Sequence, residues 1–435
     1  MNGPLPSGEP LTNRGAAPNR KQLAWPLLLC GLLGGTSPLG AQPSATQTSA
    51  SQTSASQTPA SQTPAQLSDG WDREDPAAAG FDAPKLHATL ARMMSGGVNL
   101  HGVVVERHGR LVAELYRTGR DRTVNSLFSH VREFGPTVKH DTRSVGKSVI
   151  GLLAGIAQQE GKIGGVTTPV LDFYPERADL ATGERRAITL EHLLTMSSGL
   201  MWHEGGSGRD DEHHLMIARS PAKYVLKRPM AATPSSTFTY NSGSNLLVAD
   251  IVSRTTGVPW KEYARTALFE PLGITDWEWK ADFLGRPMAY TGLRMRPRDM
   301  AKLGRLLLNR GEWNGRQIVP AAWIDASLTP RLATGFDDTR YGYFLWTGTV
   351  MWQGRDLAWA AAFGNGSQRI FVVPELDMTV VLTAGAYGDP QTVRRVDGFF
   401  REIVGATVER PGSTRRDDRT RTLIPPRRST AANRP

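Results

Sequence analysis

The stretch Arg143–Gly161, RSVGKSVIGLLAGIAQQEG, places a serine and a lysine three residues apart at the head of an apolar helix. Val149, Ile150, Leu152, Leu153 and Ile156 recur at helical spacing, and Gly161 supplies a C-terminal stop. Ser144 therefore stands at or near the helix N-terminus, and Lys147, at i+3, lies over it within side-chain reach. A serine hydroxyl is a weak nucleophile until a neighbouring base takes its proton, and the N–H groups at a helix N-terminus stabilise a developing oxyanion. Ser144 and Lys147 together have the makings of an activated nucleophile. Spacing alone does not decide the matter, because Ser220 and Lys223 repeat the pattern in RSPAKYVLKRP. There Pro221 marks Ser220 as a plain N-cap, and Pro229 ends the segment before any long buried stripe.

Working outward, residues 1–41 carry Arg14, Arg20 and Lys21, then an apolar run broken by Gly31, Gly34 and Gly35 and closed by Ala41. This reads as a secretory signal peptide, too short and glycine-rich for a membrane span, and implies a periplasmic or secreted protein. The only cysteine, Cys30, lies inside that run, so the exported chain is expected to hold neither disulfide nor thiol nucleophile. Residues 42–74 begin with pentads such as SQTSA and SQTPA, without aromatic or charged residues, and read as a flexible linker. Residues 410–435 hold eight arginines against Asp417 and Asp418 and read as a basic disordered tail, a candidate for weak contact with an anionic envelope surface. The net charge of +10 resides mostly in that tail and in the leader. The part that folds is nearly neutral, which argues against nucleic acid as a partner.

Residues 75–409 form one folded unit large enough for a substantial core. Helices are predicted over 82–94, 190–194, 244–255, 260–269, 298–309 and 392–404. Short apolar runs at 103–106, 111–116, 341–346, 357–363, 368–373 and 378–384, set off by turn residues, predict strands. Strands at both ends with helices between imply that the early hairpin joins the late meander in one antiparallel sheet flanked by helices. A mostly helical domain then covers the sheet edge, giving an α/β (α+β) architecture.

A second stretch bears on chemistry: FTYNSGSN, residues 238–245, presents Tyr240 just before a glycine turn and a helix. A tyrosine here is ordinarily a half-buried ring, but beside a lysine a phenol can relay a proton from the serine to a leaving group. The set SVGK, ITLEHLLTMSSGLMW, FTYNSGSN, EPLGITD and FGNGSQRIFVVPELDMTVVL, in that order, resembles the serine β-lactamase-related superfamily. The likeness is to its class C-like branch of D-alanyl-D-alanine peptidases, family VIII carboxylesterases and 6-aminohexanoate-oligomer hydrolases. It implies the β-lactamase/penicillin-binding-protein-like fold with the active site between the two domains. It also implies an acyl-enzyme on Ser144 assisted by Lys147 and Tyr240, an oxyanion hole from the N–H groups of Ser144 and Ser367, and no cofactor. Ser242, Asn365, Gly366, Trp202 and His203 are expected to contact substrate.

Two departures from the family pattern shape the substrate expectation. The second motif reads Tyr240-Asn241-Ser242 where Tyr-x-Asn is usual, and the third reads Gly364-Asn365-Gly366 where a cation normally stands. Losing a charge-assisted contact costs an anionic substrate about 1.5–3 kcal/mol. Small esters or uncharged amides are therefore expected to outrun β-lactams and D-alanyl-D-alanine peptides, unless Arg369 replaces the missing cation. Three alternatives were weighed. An α/β-hydrolase lacks its Gly-x-Ser-x-Gly and a late histidine. A metal hydrolase could draw on His192, His203, Glu204, Asp210, Asp211, Glu212, His213 and His214, but their spacing matches no metal motif, so no metal is expected. A non-catalytic envelope binding protein is opposed by the complete Ser-Lys-Tyr set.

Overall fold

The computed structural model describes residues 62–95, 97–205 and 210–408. The predicted signal peptide, most of the linker and the basic tail lie outside them. Nine strands form the main sheet, in the order Asp72–Arg73, Arg110–Tyr116, Leu100–Arg107, Met378–Ala384, Gln368–Val373, Arg355–Gly364, Trp346–Trp352, Arg340–Tyr341 and Leu332–Ala333. All neighbours are antiparallel except the first pair. The join expected between the two ends of the chain is Leu100–Arg107 against Met378–Ala384, with Val104 opposite Val381. Both strands are buried throughout, because successive side chains enter different cores. Val103 and Val105 meet Leu86, Leu90, Phe400 and Ile403 of the terminal helices Ala83–Ser95 and Pro390–Gly405. Val104 and Val381 face the helical domain.

The helix Val145–Gln159 runs through the centre of that second core and is buried on nearly every side. Two of its glycines allow this. A Cβ on Gly155 would sit 2.4 Å from the Trp323 ring, and one on Gly151 would touch Phe344 at 3.4 Å. Trp323 is fixed in turn by its Nε1, which donates to Gly151 O at 3.0 Å.

The structure moves two sequence boundaries. The linker ends earlier than residue 74, since Arg298 holds Ala65 O at 2.7 Å and Asp69 at 3.0 Å and Asp72–Arg73 adds to the sheet. Trp71 is buried, and its Nε1 donates to Arg298 O. Composition could not reveal this, because the anchoring arginine lies more than 220 residues away in sequence. The strand predicted over 341–346 is broken at Phe344, whose φ is 51°. The pairing strand instead begins at Trp346 and returns through Gln353-Gly354, both at positive φ, a hairpin turn matched to sheet twist.

Two glycine substitutions are expected to have opposite signs. Gly155→Ala forces a methyl into the buried Trp323 ring and is expected to lower unfolding stability by about 1–3 kcal/mol. Gly398→Ala, in the helix Pro390–Gly405 with open space at the Cβ position, is expected to gain up to about 1 kcal/mol. Denaturant unfolding of the two variants checks both values.

Candidate active site

Ser144 is the N-cap of Val145–Gln159, and the backbone leading into it is tightly determined. Thr142 is tied to Leu293 O through its N–H (2.9 Å) and its hydroxyl (2.8 Å). Arg143 adopts φ 52°, a conformation that side chains disfavour. It is held there by the Asp141 carboxylate, which accepts its N–H at 3.2 Å, and by the Tyr387 ring, 4.6 Å from its guanidinium carbon. The result is a half-buried Ser144 facing Lys147.

Lys147 is 1% exposed. Its Nζ lies 2.8 Å from Ser144 Oγ and donates to Tyr290 O at 2.9 Å, while the Tyr240 ring centroid stands 4.9 Å away. Tyr240 also lies close enough to Ser144 for that side chain to favour its ionisation. The three residues proposed from sequence are thus brought together. Their helices are bound to each other as well: Asn241 caps Ser242–Thr256 by accepting from Ser244 N–H, and Asn245 Nδ2 reaches Lys147 O at 3.2 Å.

Burial, then the charge of Glu204, push the Tyr240 phenol well above its ordinary range, and the Ser144 side chain only partly offsets them. Tyr240 rests as a neutral phenol. Glu204 is the residue that sequence reasoning left on the loop. Its carboxylate accepts Trp202 Nε1, Ser242 N–H and Ser242 Oγ–H, each at 2.9 Å. Glu212 shares a bond with it, and burial together with the Glu204 charge raises the Glu212 carboxyl well above the carboxylate range, so Glu212 holds the proton between them. A carboxyl pair therefore borders the Ser144, Lys147 and Tyr240 group. No motif signals it, because Glu204 and Glu212 come together only in the folded structure.

Several proposed substrate contacts are placed differently. Ser242 is fully buried with its hydroxyl committed to Glu204. Trp202 is buried against Gly243 and positions Glu204 from below, and His203 is exposed beside Asp211. Asn365, Gly366 and Ser367 form the turn between Arg355–Gly364 and Gln368–Val373, with Asn365 exposed. Ser367, at φ 68°, is buried, and Gly366 lies against Tyr387. The residue that meets the backbone entering the nucleophile is Gly364, where a Cβ would stand 2.2 Å from Thr142 O. There the strand Arg355–Gly364 outruns its partner, whose pairing stops at Ala361. The strand end at Gly364, rather than Ser367, is therefore the part of this turn that packs against the approach to Ser144.

Arg369 is not free to replace the missing cation. It is buried, donates to Asp397 at 2.9 Å and to Gly364 O at 3.2 Å, and lies over the Phe363 ring. Aromatic rings occupy the neighbourhood instead. Trp346 stacks on Phe363 at 5.5 Å and lies 5.9 Å from Tyr240, with exposed Phe336 beyond it. Ser220 is exposed at the start of a six-residue helix, in keeping with a plain cap. The suspected metal loop is resolved into local pairs: His192 accepts from Thr189 N–H, His203 faces Asp211 and His213 faces Asp210.

Comparison with known proteins agrees with this geometry. The Beta-lactamase family model matches residues 88–398. The chain is 24% identical over 340 residues to 6-aminohexanoate-dimer hydrolase of Paenarthrobacter ureafaciens, covering 74% of this chain and 82% of that protein. It is 29% identical over 230 residues to esterase EstB of Burkholderia gladioli, covering 46% of this chain and 54% of the esterase. Among solved structures, a family VIII carboxylesterase superposes with TM-score 0.56 at 14% identity, covering 74% of this chain and 97% of its own. The octameric penicillin-binding protein homologue from Pyrococcus abyssi gives TM-score 0.55 at 22% identity, over 72% and 75% of the two chains. With the family matched across most of its length and the fold shared, this chain belongs to the Beta-lactamase family and is one of its serine hydrolases.

Proposed function

We propose that the protein is an exported esterase or amidase that forms an acyl-enzyme on Ser144 and cleaves small, uncharged, largely apolar substrates. The observation that carries this reading is the 2.8 Å approach of the buried Lys147 Nζ to Ser144 Oγ at a helix N-terminus. In acylation, Ser144 Oγ attacks the carbonyl carbon and its proton passes to the Lys147 amine. The Tyr240 phenol, neutral at rest, gives its proton to the departing alkoxide or amine, and the Lys147 ammonium then restores it. Deacylation reverses the roles, with water in place of the alcohol. Export rests on the composition of residues 1–41.

Substrate class follows from charge and shape. The Glu204–Glu212 pair carries negative charge beside the reacting group, and Arg369 is engaged by Asp397, so a substrate carboxylate meets repulsion without a cation. The ring wall of Trp346 and Phe363 suits a short apolar acyl or alkyl group.

Three measurements follow. Steady-state kinetics with a p-nitrophenyl ester should show kcat/KM lower by about 10²–10⁴ in Lys147→Ala and in Tyr240→Phe. Folded variants with wild-type turnover would refute both roles. A chromogenic cephalosporin should be hydrolysed at least about tenfold less efficiently than that ester. Equal or better cephalosporin turnover would overturn the substrate class.

The third measurement is a pH profile. Activity should fall at alkaline pH as the Tyr240 phenol, the proton donor to the leaving group, ionises. Glu204 raises the Tyr240 phenol, so removing its charge lowers it. Glu204→Gln should therefore move that falling limb to lower pH. A shift to higher pH contradicts the charge assignment.

A further inference from the structure

His101, His140 and Asp121 come from three different strands, Leu100–Arg107, His140–Asp141 and Gly119–Asp121, which belong to three different sheets. All three side chains are at least 95% buried, and their ligand atoms lie within 4.8 Å of one another. We propose that they bind a divalent metal ion of the zinc type, as a structural clip behind the nucleophile.

Neighbouring acceptors fix where the imidazole protons lie. His101 Nε2 faces two acceptors, Arg120 O at 2.9 Å and Asn99 Oδ1 at 3.2 Å. The Asn99 amide cannot be turned to relieve this. Its Nδ2 donates to Arg120 O and Gly385 O, and its Oδ1 accepts Arg120 N–H at 3.0 Å. His101 Nε2 therefore carries the proton, and Nδ1 presents a lone pair. On His140 the Nδ1 faces Asp141 O at 3.1 Å, so the proton is there and Nε2 presents the lone pair. The two lone-pair nitrogens point at each other across 2.6 Å. Two neutral imidazoles so fixed repel, and a positive occupant between them removes the conflict.

That occupant is either a shared proton or a metal ion, and three features favour the metal. Asp121 brings a carboxylate to the same point, completing a His₂Asp donor set of the kind zinc accepts. Both distal ring nitrogens donate to backbone carbonyls, the outer-shell arrangement that fixes metal-ligating histidines. Asp121 is likewise oriented, accepting from Tyr387 Oη at 3.1 Å. Third, the site is enclosed: Phe134 stacks on His101 at 4.1 Å and lies 5.1 Å from His140. Tetrahedral zinc separates ligand nitrogens by roughly 3.3 Å, so the rings need to part by less than an ångström.

The position gives the clip a purpose. His140 lies four residues before Ser144, and Tyr387 links Asp121 to the Arg143 guanidinium that holds the strained approach to the nucleophile. The ion touches no reacting atom. It joins an interior strand of the main sheet, a small hairpin and the strand that delivers Ser144.

The test uses the full chain, stripped with a chelator and titrated with zinc chloride by calorimetry, with magnesium chloride as the contrast. One zinc per chain, a higher Tm on binding, and affinity reduced tenfold or more in His101→Asn and Asp121→Asn support the site. No zinc binding by the wild-type chain overturns it in favour of the shared proton. Equal affinity in the variants also overturns it, by moving the ion to surface histidines. If the variants do not fold, the cobalt(II) spectrum of the wild-type chain decides: intense tetrahedral bands without thiolate charge transfer support the assignment, and a weak octahedral spectrum refutes it.

Discussion

The organising constraint is the burial of a lysine amine beside a serine hydroxyl. Lys147 lies in a core where a charged or unpaired amine is costly, so its Nζ must be satisfied by neighbours, and Ser144 Oγ and Tyr290 O provide this. That requirement explains much of the surrounding architecture. The helix must pass through the centre of the domain for its first turn to be enclosed, and its glycines let Trp323 and Phe344 close on it. The strand Leu293–Met295 must lie alongside, because Leu293 O fixes Thr142 and Thr142 fixes the start of the helix.

Electrostatics around the pair follow from a second enclosed group. Glu204 takes the N-terminus of Ser242–Thr256, where free N–H groups favour a carboxylate, and so brings charge within range of Tyr240. Glu212 answers by keeping its proton. The family's usual amide at the third position of the second motif is thus exchanged here for a serine that anchors an acid from a loop. That exchange adds to burial in keeping the phenol neutral, and it supplies the negative charge that opposes anionic substrates.

The sequence made the main sheet legible because the pattern it uses is local. The runs 111–116, 368–373 and 378–384 alternate or stay apolar between turn residues, and each is a strand in the structure. The nucleophile helix was equally plain from its stripe. What stayed hidden depended on contacts between distant segments. The seat of residues 62–74 needs Arg298, the role of Trp202 needs Glu204, and the His101–Asp121–His140 cluster is assembled from three strands with no shared motif. The end of the strand Arg355–Gly364 was hidden for a different reason: in a Gly-rich turn, composition does not reveal where pairing stops.

The central claim is that Ser144 becomes covalently acylated because Lys147 stands beside it. The most direct measurement is intact-protein and peptide mass spectrometry after brief exposure to a fluorophosphonate probe. The account predicts a single adduct on Ser144, absent in Ser144→Ala and formed far more slowly in Lys147→Ala. An adduct on Ser220, or equal labelling of the Lys147→Ala protein, would contradict it.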